Sequence, residues 1–290
     1  MDSPVDTAKR ALPRLTSPTK TRKDENFPVA SRLIPPELRP HVHRFYLCVR
    51  AADDVADDPG LAPDEKMALL EAMDAALRGE PADEDATRHA RDFRASALET
   101  GVTVEHARHL LQAFMMDVTK LRYRNWSELV NYCRFSAAPV GRYLLDLHGE
   151  DASARPATDA LCIALQVLNH LQDCGEDYRE LDRVYIPEPW LAEAGIDVSA
   201  LGEGRAGPAM RAVLDRALDR TDELILRARA GPKPIRRRGL RLETAVIVAI
   251  AARLSARLRR RDPLAVRVEL GALDNAAAVV SGLARGWRAR

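Results

Sequence analysis

From Asn26 onward, apolar residues recur at three- and four-residue intervals along almost the whole chain. Leu110, Leu111, Phe114, Met115, Val118 and Leu121 show the pattern, forming one broad face on a helix. The same spacing predicts helices near residues 27–34, 37–57, 64–78, 84–100, 104–121, 126–147, 157–180, 209–230, 240–259 and 271–287, separated by short breaks bearing Pro, Gly or Asp. The alternation of half-buried strands is nearly absent, so the pattern predicts an all-α fold. No internal repeat emerges, and no Pro/Gly/Ser-rich linker divides the middle of the chain, which predicts one helical domain over residues 24–290. Residues 1–23 are rich in Pro, Ser, Thr and Lys without periodicity and read as a flexible tail. The segment Ala230 to Gly239 carries two prolines and two glycines and reads as a long flexible loop suited to gating.

Charge narrows the partners. Forty-four Lys+Arg against 43 Asp+Glu leave a net charge of +1, which disfavours a nucleic-acid partner. The longest apolar stretch, Thr244 to Leu254, contains Arg253 and is followed by Arg257, Arg259, Arg260 and Arg261, so no membrane span of roughly 18 apolar residues is predicted. The N-terminus lacks the apolar core of a secretory signal, and a cytoplasmic location is expected. Cys48, Cys133, Cys162 and Cys174 are widely spaced within apolar patterns, as reduced core residues would be.

The candidate chemistry begins at DDVADD, Asp53 to Asp58, which ends an otherwise apolar helix. Asp53 and Asp57 stand one turn apart on one face, with Asp54 and Asp58 paired beside them. Such like-charged pairs repel unless a cation fills the gap, and an all-oxygen ligand set suits Mg²⁺. An acidic helix end facing solvent is the competing reading. A second helix repeats the spacing in NHLQDCGED, with Asp173 and Asp177 one turn apart and Gln166 and Asn169 extending the stripe upstream. Polar groups amid Leu161, Leu165, Leu168 and Leu171 imply a cavity holding water, metal or ligand. Two facing helices of this kind would bridge Mg²⁺ to a diphosphate. Arg50, one turn before Asp53, would reach the diphosphate or pair with an aspartate.

These residues resemble the two aspartate-rich motifs of the squalene/phytoene synthase family, and the likeness runs from about residue 24 to residue 270. ENFPVASRLIPP (Glu25 to Pro36), RFYLCVRAADDVAD (Arg44 to Asp57), YCRFSAAPVGR (Tyr132 to Arg142) and NHLQDCGEDYRELDRVYIP (Asn169 to Pro187) carry it. The resemblance implies an all-α isoprenoid synthase fold around a central cavity and a prenyl diphosphate substrate. It implies Mg²⁺ on Asp53, Asp57, Asp173 and Asp177, with Asp54, Asp58 and Glu176 joining through water or facing solvent. Arg50, Arg142, Gln166, Asn169 and Gln172 would bind substrate, and Tyr46, Arg50, Tyr132 and Asn169 would act in catalysis. Phe27, Phe45, Phe114, Leu144 and Leu165 would either wall a hydrocarbon tunnel or serve as ordinary core. Pro139 and Gly141 would interrupt a helix beside the ligand. His41, His43 and His170 are not expected to bind metal beside an all-oxygen site.

Within the family, ENFPVASRLIPP and NHLQD look most like the bacterial hopanoid-pathway branch that turns presqualene diphosphate into hydroxysqualene. Phytoene and dehydrosqualene synthases usually carry NILRD, whereas here His170 and Gln172 replace Ile and Arg. That departure removes a diphosphate-binding arginine of the condensing enzymes. With no Gly-rich dinucleotide fingerprint, no NADPH is expected, and water would quench the final cation. The rival readings are a synthase condensing two prenyl diphosphates, and a noncatalytic helical protein binding Mg²⁺, acidic lipid or a partner. Further expectations are peripheral membrane contact through the arginine-rich C-terminal helices and functional pairing with a presqualene diphosphate synthase.

Overall fold

The computed structural model describes residues 33–289; the tail at 1–23, Phe27 and most of the ENFPVASRLIPP segment lie outside the described residues. Within that range the chain forms α-helices and no strand, and the backbones of Arg122 and Val184 meet in an isolated bridge. In order these helices are α1 (Arg39–Asp57), α2 (Pro63–Arg78), α3 (Arg88–Thr100), α4 (Glu105–Thr119), α5 (Trp126–Ser136), α6 (Ala138–Leu147), α7 (Arg155–Leu181), α8 (Glu188–Glu193), α9 (Pro208–Ala228), α10 (Arg238–Leu258) and α11 (Ala272–Arg288).

Local chemistry sets the helix ends. Proline opens α2 at Pro63, the Glu65 carboxylate accepts the Ala62 N–H at 3.1 Å, and Gly79 closes the helix at φ 83° in the left-handed region. At the start of α5 the Asn125 side chain accepts the Glu128 N–H at 2.9 Å. The periodicity predicts a single helix over 126–147, but the structure divides it at Ala137 (φ −135°, ψ −45°). Pro139 explains the division, because it has no N–H for a continuous helix and is well placed in the first turn of a new one. Gly141 is therefore no break. It lies inside α6, where a Cβ would stand 2.6 Å from Thr158 Cγ2 and 2.7 Å from Cys162 Sγ, so its bare backbone lets α6 approach α7.

At 27 residues and about 40 Å, α7 is the axis of the fold, and it packs against α5, α6, α9 and α10. Leu161, Leu168 and Leu171 of α7, Val213 and Leu214 of α9, and Val248 and Leu254 of α10 belong to the larger core. A second core joins α1 to α2, α3 and α4, where Phe45 stacks on Tyr143 at 4.1 Å and meets Phe93 edge-on at 5.2 Å. Residues of α1, α4, α6, α7 and α10 enclose a cavity of about 270 Å³. On the far side of α10 lies α11, seated through Ala278, Gly282 and Gly286; a Cβ on Gly282 would come within 2.5 Å of Val246 Cα.

One further expectation needs correction, and one element was not foreseen. The segment at 230–239 is a string of turns that gives way to α10 at Arg238, and it is tied down: the Glu150 carboxylate accepts the N–H groups of Arg236 and Arg237 at 2.8 and 2.7 Å, and Gly149 O accepts the Arg236 guanidinium at 2.7 Å. The six-residue α8 has no counterpart in the sequence reading, since so short a helix shows less than two turns of any period.

Candidate active site

The cavity has two kinds of wall. Phe45, Phe114, Leu144 and Leu165 are among its apolar lining, with Val42, Val49, Leu161 and Ile247. Of the predicted site residues, Tyr46, Arg50, Asp53, Gln166 and Asn169 line it too. Their spacing does this: Tyr46, Arg50 and Asp53 share one face of α1, and Leu165, Gln166 and Asn169 follow one face of α7. Glu243 and Thr244 of α10 also line the cavity and are buried, which the sequence reading did not foresee.

The aspartates are met by arginines. Arg50 is 9% exposed and donates to Asp53 at 2.7 Å and to Asp54 at 2.5 Å. Burial works against its charge, but the two carboxylates outweigh that and hold the guanidinium firmly cationic. Asp57 accepts from Arg183 at 2.7 Å, and Asp173 pairs with Arg267 of the α10–α11 connection. Asp177 is half-buried; desolvation first, and then the neighbouring Asp173, push its carboxyl up to about 8 despite Arg183. Among the described residues no three carboxylate, imidazole or thiolate groups converge as a ready-made metal cage.

Arg183 organises a second, buried layer. After α7 the chain turns through Asp182 at φ 50°, a left-handed conformation that Asp tolerates better than most residues. The turn is pinned by Arg122, which donates to the Asp182 carboxylate at 2.5 Å, and by the Val184 N–H on Leu121 O at 2.9 Å. Arg183 is thereby sent back to α1, where it also donates to Ala56 O at 3.4 Å. Its charge faces Asp117 and Asp177 as well, and the carboxylates and Tyr185 together push its ionisation far above the ordinary arginine range against the opposing effect of burial. Asp117 is 4% exposed on the buried, mostly apolar face of α4; desolvation lifts its carboxyl to about 7 while Arg183 and a 2.6 Å hydrogen bond from Tyr132 oppose the rise. His170 stacks on Tyr185 at 3.5 Å, and burial, reinforced by Arg183, lowers it to about 3, so the ring is neutral.

Three predicted substrate or catalytic residues do not line the cavity. Tyr132 is 2% exposed and bound to Asp117 behind the wall. Arg142 makes a two-pronged pair with Asp159 at 2.9 and 2.6 Å, tying α6 to α7. Gln172 donates its amide to Val268 O at 2.5 Å and so anchors the α10–α11 connection. Sequence reasoning gave Asp117 and Arg183 no role. A signal for Asp117 existed, since it falls three residues after Phe114 and four before Leu121, where the helical pattern calls for an apolar residue. Arg183 lies within the quoted RVYIP stretch, but nothing in spacing shows that a left-handed turn aims it back at α1.

Comparisons with known proteins agree with this architecture. The squalene/phytoene synthase family profile matches residues 20–275. A hydroxysqualene synthase of Rhodopseudomonas palustris is 46% identical over 255 residues, covering 88% of this chain and 86% of its own length. One from Sinorhizobium fredii is 43% identical, over 87% of this chain and 85% of its own. The solved squalene synthase HpnC of Alicyclobacillus acidocaldarius superposes with a TM-score of 0.70 at 31% identity, covering 83% of this chain and 90% of that one.

Proposed function

Since the chain belongs to the squalene/phytoene synthase family, we propose that it is a hydroxysqualene synthase, converting presqualene diphosphate and water to hydroxysqualene and diphosphate. The observation that carries this reading is the union, in one cavity, of a long apolar wall with Arg50, Asp53, Gln166 and Asn169. A hydrocarbon chain needs the first and a diphosphate the second. The hydroxysqualene synthases that match over most of this chain support the choice of branch. Gln172 supports it too: at the position where the condensing enzymes it resembles carry arginine, its amide is engaged by Val268 O and brings no cation to the cavity.

Asp53, Asp57, Asp173 and Asp177 fit Mg²⁺ chemically, as hard oxygen donors, and the raised Asp177 is a partly buried carboxylate whose charge Arg183 leaves undercompensated. They are the residues that would hold it. Bound there, Mg²⁺ would supply charge neutralisation for the departing diphosphate. Arg50, already held cationic, would donate to diphosphate oxygens in exchange for its aspartates. Gln166 and Asn169 would orient the same group by amide donation, and Tyr46 would turn its ring or hydroxyl toward the reacting end. Phe45, Phe114, Leu144 and Leu165 would exclude bulk water until ionisation. The carbon–oxygen bond breaks with its electron pair leaving on diphosphate. The cyclopropylcarbinyl cation rearranges, and a water oxygen forms the new bond and loses a proton. No hydride donor enters this balance.

Such a reaction requires a presqualene diphosphate synthase upstream. Its greasy substrate and product make a membrane surface the expected working location, although no helix among the described residues is long and apolar enough to cross one. The test is incubation with Mg²⁺ and presqualene diphosphate without NADPH, followed by mass-spectrometric identification of the extracted product. Hydroxysqualene is expected. Untouched substrate alongside consumption of farnesyl diphosphate in a parallel reaction would move the chain to the condensing branch.

A further inference from the structure

Helix α11 shows two apolar faces where one would suffice. Its small residues Ala278, Gly282 and Gly286 are buried against α10. The opposite side bears Leu273, Val280 and Trp287, recurring every seven residues and 88%, 69% and 52% exposed, with Val279 beside them at 42%. Four of the eight exposed large apolar residues among the described residues therefore fall on this one helix. Scattered exposed leucines are ordinary, but a continuous stripe along a helix is a site for something apolar.

The charges around the stripe say what kind. The single acid of α11, Asp274, is already paired with Arg257 at 2.7 Å. Arg285 and Arg288 are exposed at the other end, and Arg238 of α10 stacks its guanidinium over the Trp287 ring at 4.2 Å. An apolar stripe with an aromatic residue set among arginines is the pattern of a helix lying in the interface of an anionic bilayer, where Trp sits at headgroup depth and arginine meets phosphate. A second copy of the chain fits less well. Seventeen residues give a strip about 25 Å long and roughly 10 Å wide, well short of the roughly 800 Å² per partner of a standard interface.

We propose that α11 is a membrane-docking helix, lying flat on anionic lipid with Leu273, Val280 and Trp287 inserted and Arg238 and Arg288 at the phosphates. The proposal stands on this surface alone and does not depend on which prenyl diphosphate the cavity takes.

The test is flotation of the full chain with vesicles of phosphatidylcholine alone and with added phosphatidylglycerol. Capture is expected on the anionic vesicles, reduced at high salt and reduced roughly tenfold or more by Val280→Glu, a change at an exposed position that leaves the circular dichroism spectrum and activity on detergent-dispersed substrate unaltered. Arg238→Gln with Arg288→Gln should weaken capture on anionic vesicles and leave the weak binding to neutral ones unchanged. Absence of capture, or equal capture of wild type and Val280→Glu, would overturn the proposal. So would a dimer that Val280→Glu dissolves without any vesicle binding, which would give the face to a second copy.

Discussion

Replacing Gly141 with Ala tests whether close approach of α6 and α7 shapes the cavity. The new Cβ would lie 2.6 Å from Thr158 Cγ2 and 2.7 Å from Cys162 Sγ, against a favourable carbon–carbon separation of about 3.5–4.0 Å. Relief requires a shift of about 1 Å, either of one helix against the other or of both side chains into poorer rotamers. Overpacking of this size typically costs about 1–3 kcal/mol, and the better helix propensity of Ala returns about 1 kcal/mol. The net expectation is a loss of about 1 kcal/mol, with Tm lowered by roughly 2–4 °C for a chain of this length. Thr158 and Cys162 both line the cavity, so the disturbance should also appear in turnover. Thermal unfolding by circular dichroism and initial rates would be measured for Gly141→Ala, for Thr158→Ser with Cys162→Ala, and for the triple variant. Removing Cγ2 and Sγ should recover stability in the triple variant beyond additivity. If Gly141→Ala is instead stabilised by about 1 kcal/mol with unchanged rates, propensity alone governs the site and the packing argument is wrong.

Other expectations concern the charges. Arg183→Gln takes a buried cation away from buried Asp117 and from the partly exposed Asp57 and Asp177 and should cost about 3 kcal/mol in urea unfolding, whereas Arg142→Gln, breaking a partly exposed pair, should cost about 1 kcal/mol or less. Asp53→Asn should lower kcat by roughly 10²–10³ with the helical spectrum retained, a loss read from steady-state rates. Asp177 is raised on folding to about 8 from an ordinary carboxylate value of 3.8, so the native state binds its proton more tightly. Its contribution to metal-free stability is full below pH 4 and is lost as pH rises toward 8, and Asp177→Asn should flatten the unfolding profile across that window. Mg²⁺ with pyrophosphate, at about 100-fold over the dissociation constant, should add about 2.7 kcal/mol in thermal-shift assays, with each raising the affinity of the other by the same factor.

Periodicity made most helices legible from sequence, because each buries a stripe and α1, α7 and α10 keep that stripe for five turns or more. Apolar spacing alone runs unbroken through 126–147, and Pro139 was the signal for the interruption that the structure places at Ala137, whereas Gly141 lies inside α6. At the site, one-turn spacing was enough to put Arg50 beside Asp53, and Gln166 and Asn169 on the cavity side of α7. The partners of Arg142, Gln172 and Tyr132 were not legible, since Asp159, Val268 and Asp117 lie on other elements whose angles depend on packing. A polar residue next to a motif looks the same in sequence whether it faces the cavity or ties down the helix that does.

The wall that α10 forms is one helix thick. Glu243, Thr244 and Ile247 line the cavity, while the backbone of Ala245 and Val246, their immediate neighbours, lies against Gly282, and Ala245 and Leu242 lie against Gly286. Among the described residues the same helix meets the cavity on one side and α11 on the other, so the width of the chamber depends on how closely α11 is seated. A methyl group gained or lost on the inner face of α11 would retune the fit of a bound hydrocarbon without touching any residue that meets it. Drift in an apparently peripheral helix is thus a route by which the same catalytic end could come to accept chains of different length or shape.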